Sequence, residues 1–317
     1  MANQSKGYVV RGAGLARRDW PCFLWLYLAN LMLALLASAG VAVQVGGVLN
    51  RSLESQRLAQ GFDLAAFLEL LLRPEISVNT WVPATVLAAL LFTLITLFLT
   101  AGIVQSFLSD EHLRIGPFFQ ACGTWLWRFT RLTFLTLLIF GVVLGALGAL
   151  RAALVSWADK SPNPRLYFYV GLGSLLVLVL VAIKLRLWFD LAQFHLVHTG
   201  ERKVRRAIPA GLRLLRRGFL RLYGTYLTIT LAGWLSFAAG VWLWWKLPPA
   251  RVGLAFLVGQ GILILWLGTR YWQRAAVALW FREHAPAVAI AEPALPAQEP
   301  VPAAPSPAPV GEPPLTS

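Results

Sequence analysis

The stretch LYFYVGLGSLLVLVLVAIKLRLW, residues 166–188, decides the fold. It carries no charge from Leu166 to Ile183, then places Lys184 and Arg186 in its last turns. A helix needs roughly 20 predominantly apolar residues to cross the hydrocarbon core of a bilayer. A barrel strand would alternate apolar and polar side chains, and this stretch does not. Inside hydrocarbon the backbone must satisfy its own polar groups, so the segment reads as a transmembrane helix.

Five further stretches read the same way: 22–49, 81–108, 129–155, 223–246 and 253–268. Of the 317 residues, 58% are hydrophobic and 13% are charged, and the mean hydropathy is +0.65. That is too little charge to cover a soluble fold of this size, and too apolar for a disordered chain. Two cysteines exclude a disulfide scaffold. The expected fold class is all-α: a polytopic membrane protein, a six-transmembrane-helix bundle with interfacial amphipathic helices. Residues 1–21 read as a cytoplasmic N-terminal segment, 22–282 as the transmembrane domain, and 283–317 as a disordered cytoplasmic tail rich in Pro and Ala. The start of the chain has the basic, apolar, small-residue order of a signal peptide, with Ala37-Ser38-Ala39 as its cleavage site. The apolar run continues through Val41, Val43, Val45 and Val48, so it reads as an uncleaved anchor.

Charge sets the orientation. The net charge is +14, and twenty Lys and Arg fall on the side of the N-terminus against eight on the other. The positive-inside rule makes the first side cytoplasmic, with both termini on it. Trp and Tyr at both predicted interfaces agree with these boundaries.

Two segments between spans are amphipathic. Leu64, Phe67, Leu68 and Leu71 form a stripe between Asp63 and Pro74, which suggests a short helix on the outer leaflet. In the inner loop, Val204, Ile208, Leu212, Leu215, Phe219 and Leu222 share one helical face. Arg205, Arg206, Arg213, Arg216, Arg217 and Arg221 occupy the rest, with the helix starting at Pro209. These six arginines are the candidate contacts for anionic phospholipid headgroups. Phe129-Thr130-Arg131-Leu132 and Phe219-Leu220-Arg221-Leu222 leave open whether spans 2–3 and 4–5 are parallel repeats.

Chemistry-bearing constellations are absent from the sequence. His195 and His198 lie one helical turn apart without a fixed third ligand, which is short of a zinc motif. Cys22 and Cys122 both fall on the reducing side. Arg186 and Asp190, four apart, read as an interfacial pair. No catalytic, cofactor-binding or metal site is expected, and no nucleic-acid contact. Gly141, Gly145, Gly148, Gly233, Gly240, Gly261 and Gly268 read as helix-packing positions, inside the bundle or across a homodimer.

Phe189-Asp190-Leu191-Ala192, the segment Gly211-Leu212-Arg213-Leu214-Leu215-Arg216-Arg217, and Phe118-Phe119-Gln120-Ala121-Cys122-Gly123 carry a resemblance. Over most of 20–280 the chain resembles a loosely defined group of uncharacterised six-pass bacterial inner-membrane proteins. The resemblance implies architecture and location, with no activity to carry over. The expectation is a non-enzymatic structural or adaptor protein that contacts anionic phospholipid or a membrane-protein partner through its basic face. The alternative is a transporter or permease component for an apolar or lipidic substrate.

Overall fold

The computed structural model describes residues 2–49, 78–201, 203–248 and 251–285. The outer amphipathic segment around Leu64 and the Pro-rich tail lie outside the described residues. The described chain is all-α: α1 (Ala2–Arg18), α2 (Trp20–Leu49), α3 (Val78–Leu108), α4 (Ile115–Asp159), α5 (Pro164–Thr199), a 3₁₀ turn (Val204–Arg206), α6 (Ala207–Trp245) and α7 (Val252–His284). Six of these helices, α2 to α7, are long and apolar enough to cross a membrane.

Consecutive helices from α3 to α7 pack as antiparallel neighbours. Helix α7 is the hub, touching α1, α2, α3, α5 and α6. Several helices outrun the bilayer. With 45 residues, α4 is about 67 Å long at the α-helical rise, more than twice the hydrocarbon thickness. The extra length of α4 to α7 lies mostly at one end, beyond the predicted inner boundaries of the spans. At that end the apolar positions continue after the charged residues begin: Leu187, Leu191, Phe194 and Leu196 on α5 are fully buried.

Burial is concentrated there. Phe107, Phe118, Phe129, Leu132, Tyr226, Trp280 and Phe281 are inaccessible or nearly so. The opposite half shows its side chains outward: Leu137, Leu138, Val142 and Leu150 on α4, and Leu172, Leu175, Leu176 and Val177 on α5. Such a surface would aggregate in water, but lipid solvates it. There the helices touch at few points, among them Trp234 against Trp266 at 5.3 Å.

Helix α1 is a finding that the sequence does not announce. It lies along α7, with Tyr8 and Leu15 buried. Gly12 sits so close that a Cβ would stand 2.9 Å from the Ala276 backbone. Trp272 Nε1 donates to the Val9 carbonyl at 2.8 Å, and Tyr271 Oη donates to the Asp19 carbonyl at 2.7 Å. The N-terminal segment is therefore docked helix.

The basic segment also differs from its expected form. It is not a separate helix, but the first part of α6, joined to span 5 across a kink at Gly218 (φ −127°, ψ 24°). The indole of Trp280 fills the space a Cβ at Gly218 would need. The helix starts at Ala207 after the 3₁₀ turn, two residues before Pro209, which the first turn tolerates. The apolar stripe faces protein: Val204, Leu215 and Leu222 are buried, as are Ala207, Ala210 and Leu214 beside them.

The closest crossing of α5 and α6 is at Gly211, where a Cβ would stand 2.9 Å from the Ala192 nitrogen. Gly211→Ala should cost about 1–3 kcal/mol through overpacking. Gly145 on α4 has open space around it, so Gly145→Ala should leave the fold intact or gain up to about 1 kcal/mol from helix propensity. Thermal unfolding of both variants in detergent checks this, and equal midpoints would contradict the packing described.

Candidate functional site

The most charged interior position is where α5, α6 and α7 meet, next to α3. Asp190 and Arg186 are one turn apart on α5, and Arg270 and Arg274 one turn apart on α7, so each pair shares a helix face. Asp190 is fully inaccessible. Arg270 Nη1 and Nη2 donate to its Oδ2 and Oδ1 at 2.9 and 2.7 Å, a bidentate pair. Tyr226 Oη donates to Asp190 Oδ2 at 3.2 Å and also contacts Arg270. Behind the pair, Gln273 Nε2 donates to Thr230 Oγ1 at 2.8 Å and Arg274 Nη1 to Thr100 Oγ1 at 3.1 Å. Arg274 Nε is 3.8 Å from Asp190 Oδ1 and has no hydrogen-bond partner.

This corrects the expected pairing of Arg186 with Asp190. The planar fork of Arg270 reaches both carboxylate oxygens from across the bundle. Among the described residues Arg186 makes no hydrogen bond or ion pair, and it is exposed. Arg270 and Arg274, which the sequence counts only as topology charges, turn into the bundle.

A second buried carboxylate, Asp19, sits at the corner between α1 and α2. Arg18 Nε and Nη2 donate to its two oxygens at 3.0 and 2.9 Å, and His112 Nδ1 lies 3.2 Å away. Arg18 Nη2 also donates to the Ser106 carbonyl at 3.3 Å, in the last turn of α3, and Nη1 to the Asp110 carbonyl beyond it at 3.0 Å. Farther along α1, Arg11 pairs with Glu283 at 2.8 Å. The Tyr8 hydroxyl hydrogen-bonds the same carboxylate. Burial and the Glu283 carboxylate hold the Tyr8 phenol above its ordinary pKa.

Of the six headgroup candidates, Arg205, Arg206, Arg213, Arg216 and Arg217 are exposed, and Arg221 is half-buried. Arg213, Arg216 and Arg217 face away from the covered apolar side chains of α6, and Arg205 and Arg206 lie on the 3₁₀ turn before it. The glycine positions divide. Gly233 abuts Thr269 and Gly240 abuts Ile262, both across the α6–α7 seam, and Gly268 reaches Phe23 at 4.0 Å. Gly141, Gly145, Gly148 and Gly261 have open space where a Cβ would go. They pack nothing within the described residues, because that face of each helix turns away from its neighbours.

The histidines also divide. His198 meets the edge of Phe281 at 5.4 Å, and His284 stacks on Trp280 at 4.6 Å. His195 Nδ1 is buried without a partner rather than solvated. No group of three His, Cys, Asp or Glu able to hold a metal occurs among the described residues. Cys22 and Cys122 are both free thiols.

Two hollows accompany these features. A cleft of about 560 Å³ opens between α2, α3 and α7, lined mainly by apolar side chains. Its polar groups are Tyr27, whose hydroxyl donates to Gln260 Oε1 at 2.9 Å, together with Asn30 and Thr85. A groove of about 610 Å³ runs between α4 and the 3₁₀ turn, where Trp127, Phe134 and Val204 meet Arg131, Lys203 and Arg205. The chain matches no known family model, curated protein or solved structure.

Replacing Asp190 by Asn keeps the shape but leaves Arg270 buried and uncompensated, which should cost about 3–5 kcal/mol. The readout is the unfolding midpoint of the detergent-solubilised protein. A midpoint as high as that of the unaltered protein would contradict the pairing.

Proposed function

We propose that this integral membrane protein is a non-enzymatic structural or adaptor protein whose basic face engages anionic phospholipid. The face points into the cytoplasm, at the inner membrane of a bacterium. The observation that carries the reading is the two-sidedness of α6. One side, with Leu214, Leu215 and Leu222, is locked into the core. The other presents Arg213, Arg216 and Arg217 outward, and Arg205 and Arg206 are exposed on the 3₁₀ turn that leads into it. A charge array on a rigid backbone loses little conformational freedom on binding. Each Lys or Arg near an anionic surface contributes about 1 kcal/mol. The ends of α1 and α7 that are tied through Arg11 and Glu283 lie on this side, and the excess of Lys and Arg there supports both termini being cytoplasmic.

A second reading, a permease component for an apolar or lipidic substrate, is favoured by the cleft between α2, α3 and α7. Its size suits a small apolar ligand. Polar side chains inside a membrane mark functional positions more often than chance, and Tyr27 and Gln260 face one another there.

The first reading is tested on the whole protein in nanodiscs of phosphatidylcholine with a minor share of phosphatidylglycerol. The unaltered protein should enrich phosphatidylglycerol around itself. Arg213→Gln, Arg216→Gln and Arg217→Gln together should remove most of that enrichment, an effect of about 3 kcal/mol at the full value per charge. Enrichment that survives the triple variant would sink the reading.

A further inference from the structure

Three exposed cations stand at the lip of the groove between α4 and the start of α6: Arg131, Lys203 and Arg205. Among the described residues none of the three has an acidic partner. Glu201, the acid nearest in sequence to Lys203 and Arg205, forms no ion pair with either and keeps one carboxylate oxygen buried without a hydrogen-bond partner. The Arg131 guanidinium lies 4.8 Å over the Trp127 ring, which fixes its position and leaves its N–H edges free to donate.

Below that lip the walls turn apolar. Trp127 stands at the predicted membrane boundary, one turn before Arg131, and Phe134 and Leu135 follow one turn beyond Arg131, deeper along α4. Phe134 is 68% exposed, and so is available to a lipid chain. Val204 closes the floor and is itself buried. The groove thus runs from cationic to apolar in the direction in which a phospholipid runs from phosphate to acyl chain. An aromatic side chain sits at the junction, where Trp prefers to lie.

We propose that this groove is a site for one anionic glycerophospholipid. Arg131, Lys203 and Arg205 hold its phosphate beside the Trp127 ring, and the upper part of an acyl chain lies against Phe134 and Leu135. The inference rests on the reading of the basic face as lipid-contacting and adds a defined site to it. A planar guanidinium can take two phosphate oxygens at once, and the ammonium of Lys203 adds a mobile third contact. Recognition needs both halves. A soluble phosphate lacks the chain, and a zwitterionic lipid carries its own cation into the lip.

The test uses the full chain, delipidated in a neutral detergent. Native mass spectrometry counts retained lipid while phosphatidylglycerol, phosphatidylcholine or glycerol 3-phosphate is added back. The unaltered protein should hold one phosphatidylglycerol in preference to phosphatidylcholine, and no glycerol 3-phosphate. Arg131→Gln, Lys203→Gln and Arg205→Gln together should weaken that lipid roughly a hundredfold, as expected for three headgroup charges. These side chains are exposed, so the fold should survive. Thr130→Trp, which keeps every charge and fills the groove, should also expel the lipid. Arg213→Gln, Arg216→Gln and Arg217→Gln should leave it in place. A lipid retained by this last variant but lost by the first supports the groove even where the broader basic face proves dispensable. Equal retention by the first variant and the unaltered protein, or tight binding of glycerol 3-phosphate alone, overturns the proposal.

Discussion

The predicted inner end of this bundle is arranged around a carboxylate that has to be neutralised inside protein. A buried charge without a partner costs several kcal/mol, and a buried pair is tolerable only with good geometry and satisfied neighbours. Asp190 has both: two guanidinium bonds from Arg270 and a hydroxyl from Tyr226. Apolar side chains in its place could pack as stably, so its main consequence is register. Sliding α7 by one turn would strand Asp190 in the direction that brings Trp266 and Leu267 to it, and would exchange Arg270 for Arg274 in the other. Because α7 also touches α1, α2, α3 and α6, fixing it against α5 fixes most of the inner end.

That constraint fits the way the two halves of the molecule are built. Where helices outrun the bilayer, water is the alternative to burial, and apolar surface is driven together. Phe194, Phe281 and Trp280 disappear into a continuous core there. In hydrocarbon the lipid tails solvate Leu and Val as well as a neighbouring helix does, so contact depends on close fit. The outer half accordingly meets at small or aromatic positions such as Gly240 against Ile262 and Trp234 against Trp266. The same physics explains why the stripe from Val204 to Leu222 is covered by α5 and α7 rather than lying on lipid.

The six spans were legible because apolar length is a property of one stretch of chain, read without knowing its neighbours. The helical extensions were not, since Arg and His interrupt the apolar run just where the helices pass into a protein core. Arg186 was the natural partner for Asp190 on local spacing, whereas the true partner is 80 residues away on α7. Helix α1 left a trace in Tyr8, Gly12 and Leu15, spaced as one helical face, but its basic residues drew the reading toward topology alone. Gly145 and Gly233 look alike in sequence; only the rotation of each helix about its axis decides that one meets Thr269 and the other meets nothing.

The basic excess also separates into two populations once partners are known. Arg11, Arg18, Arg270 and Arg282 each take one carboxylate, those of Glu283, Asp19, Asp190 and Asp110. These pairs hold α1, α3, α5 and α7 together, and they consume most of the described acids on that side. Arg131, Lys203, Arg205, Arg206, Arg213, Arg216 and Arg217 face outward and take no carboxylate among the described residues. Positive-inside counting weighs both populations alike. Much of the uncompensated one stands on α4, the 3₁₀ turn and the start of α6, where its field falls on whatever lies beside them within about a Debye length, some 8–10 Å. Trp127 and Arg131 fall at the predicted boundary of their span, the level at which Trp and Arg meet lipid headgroups.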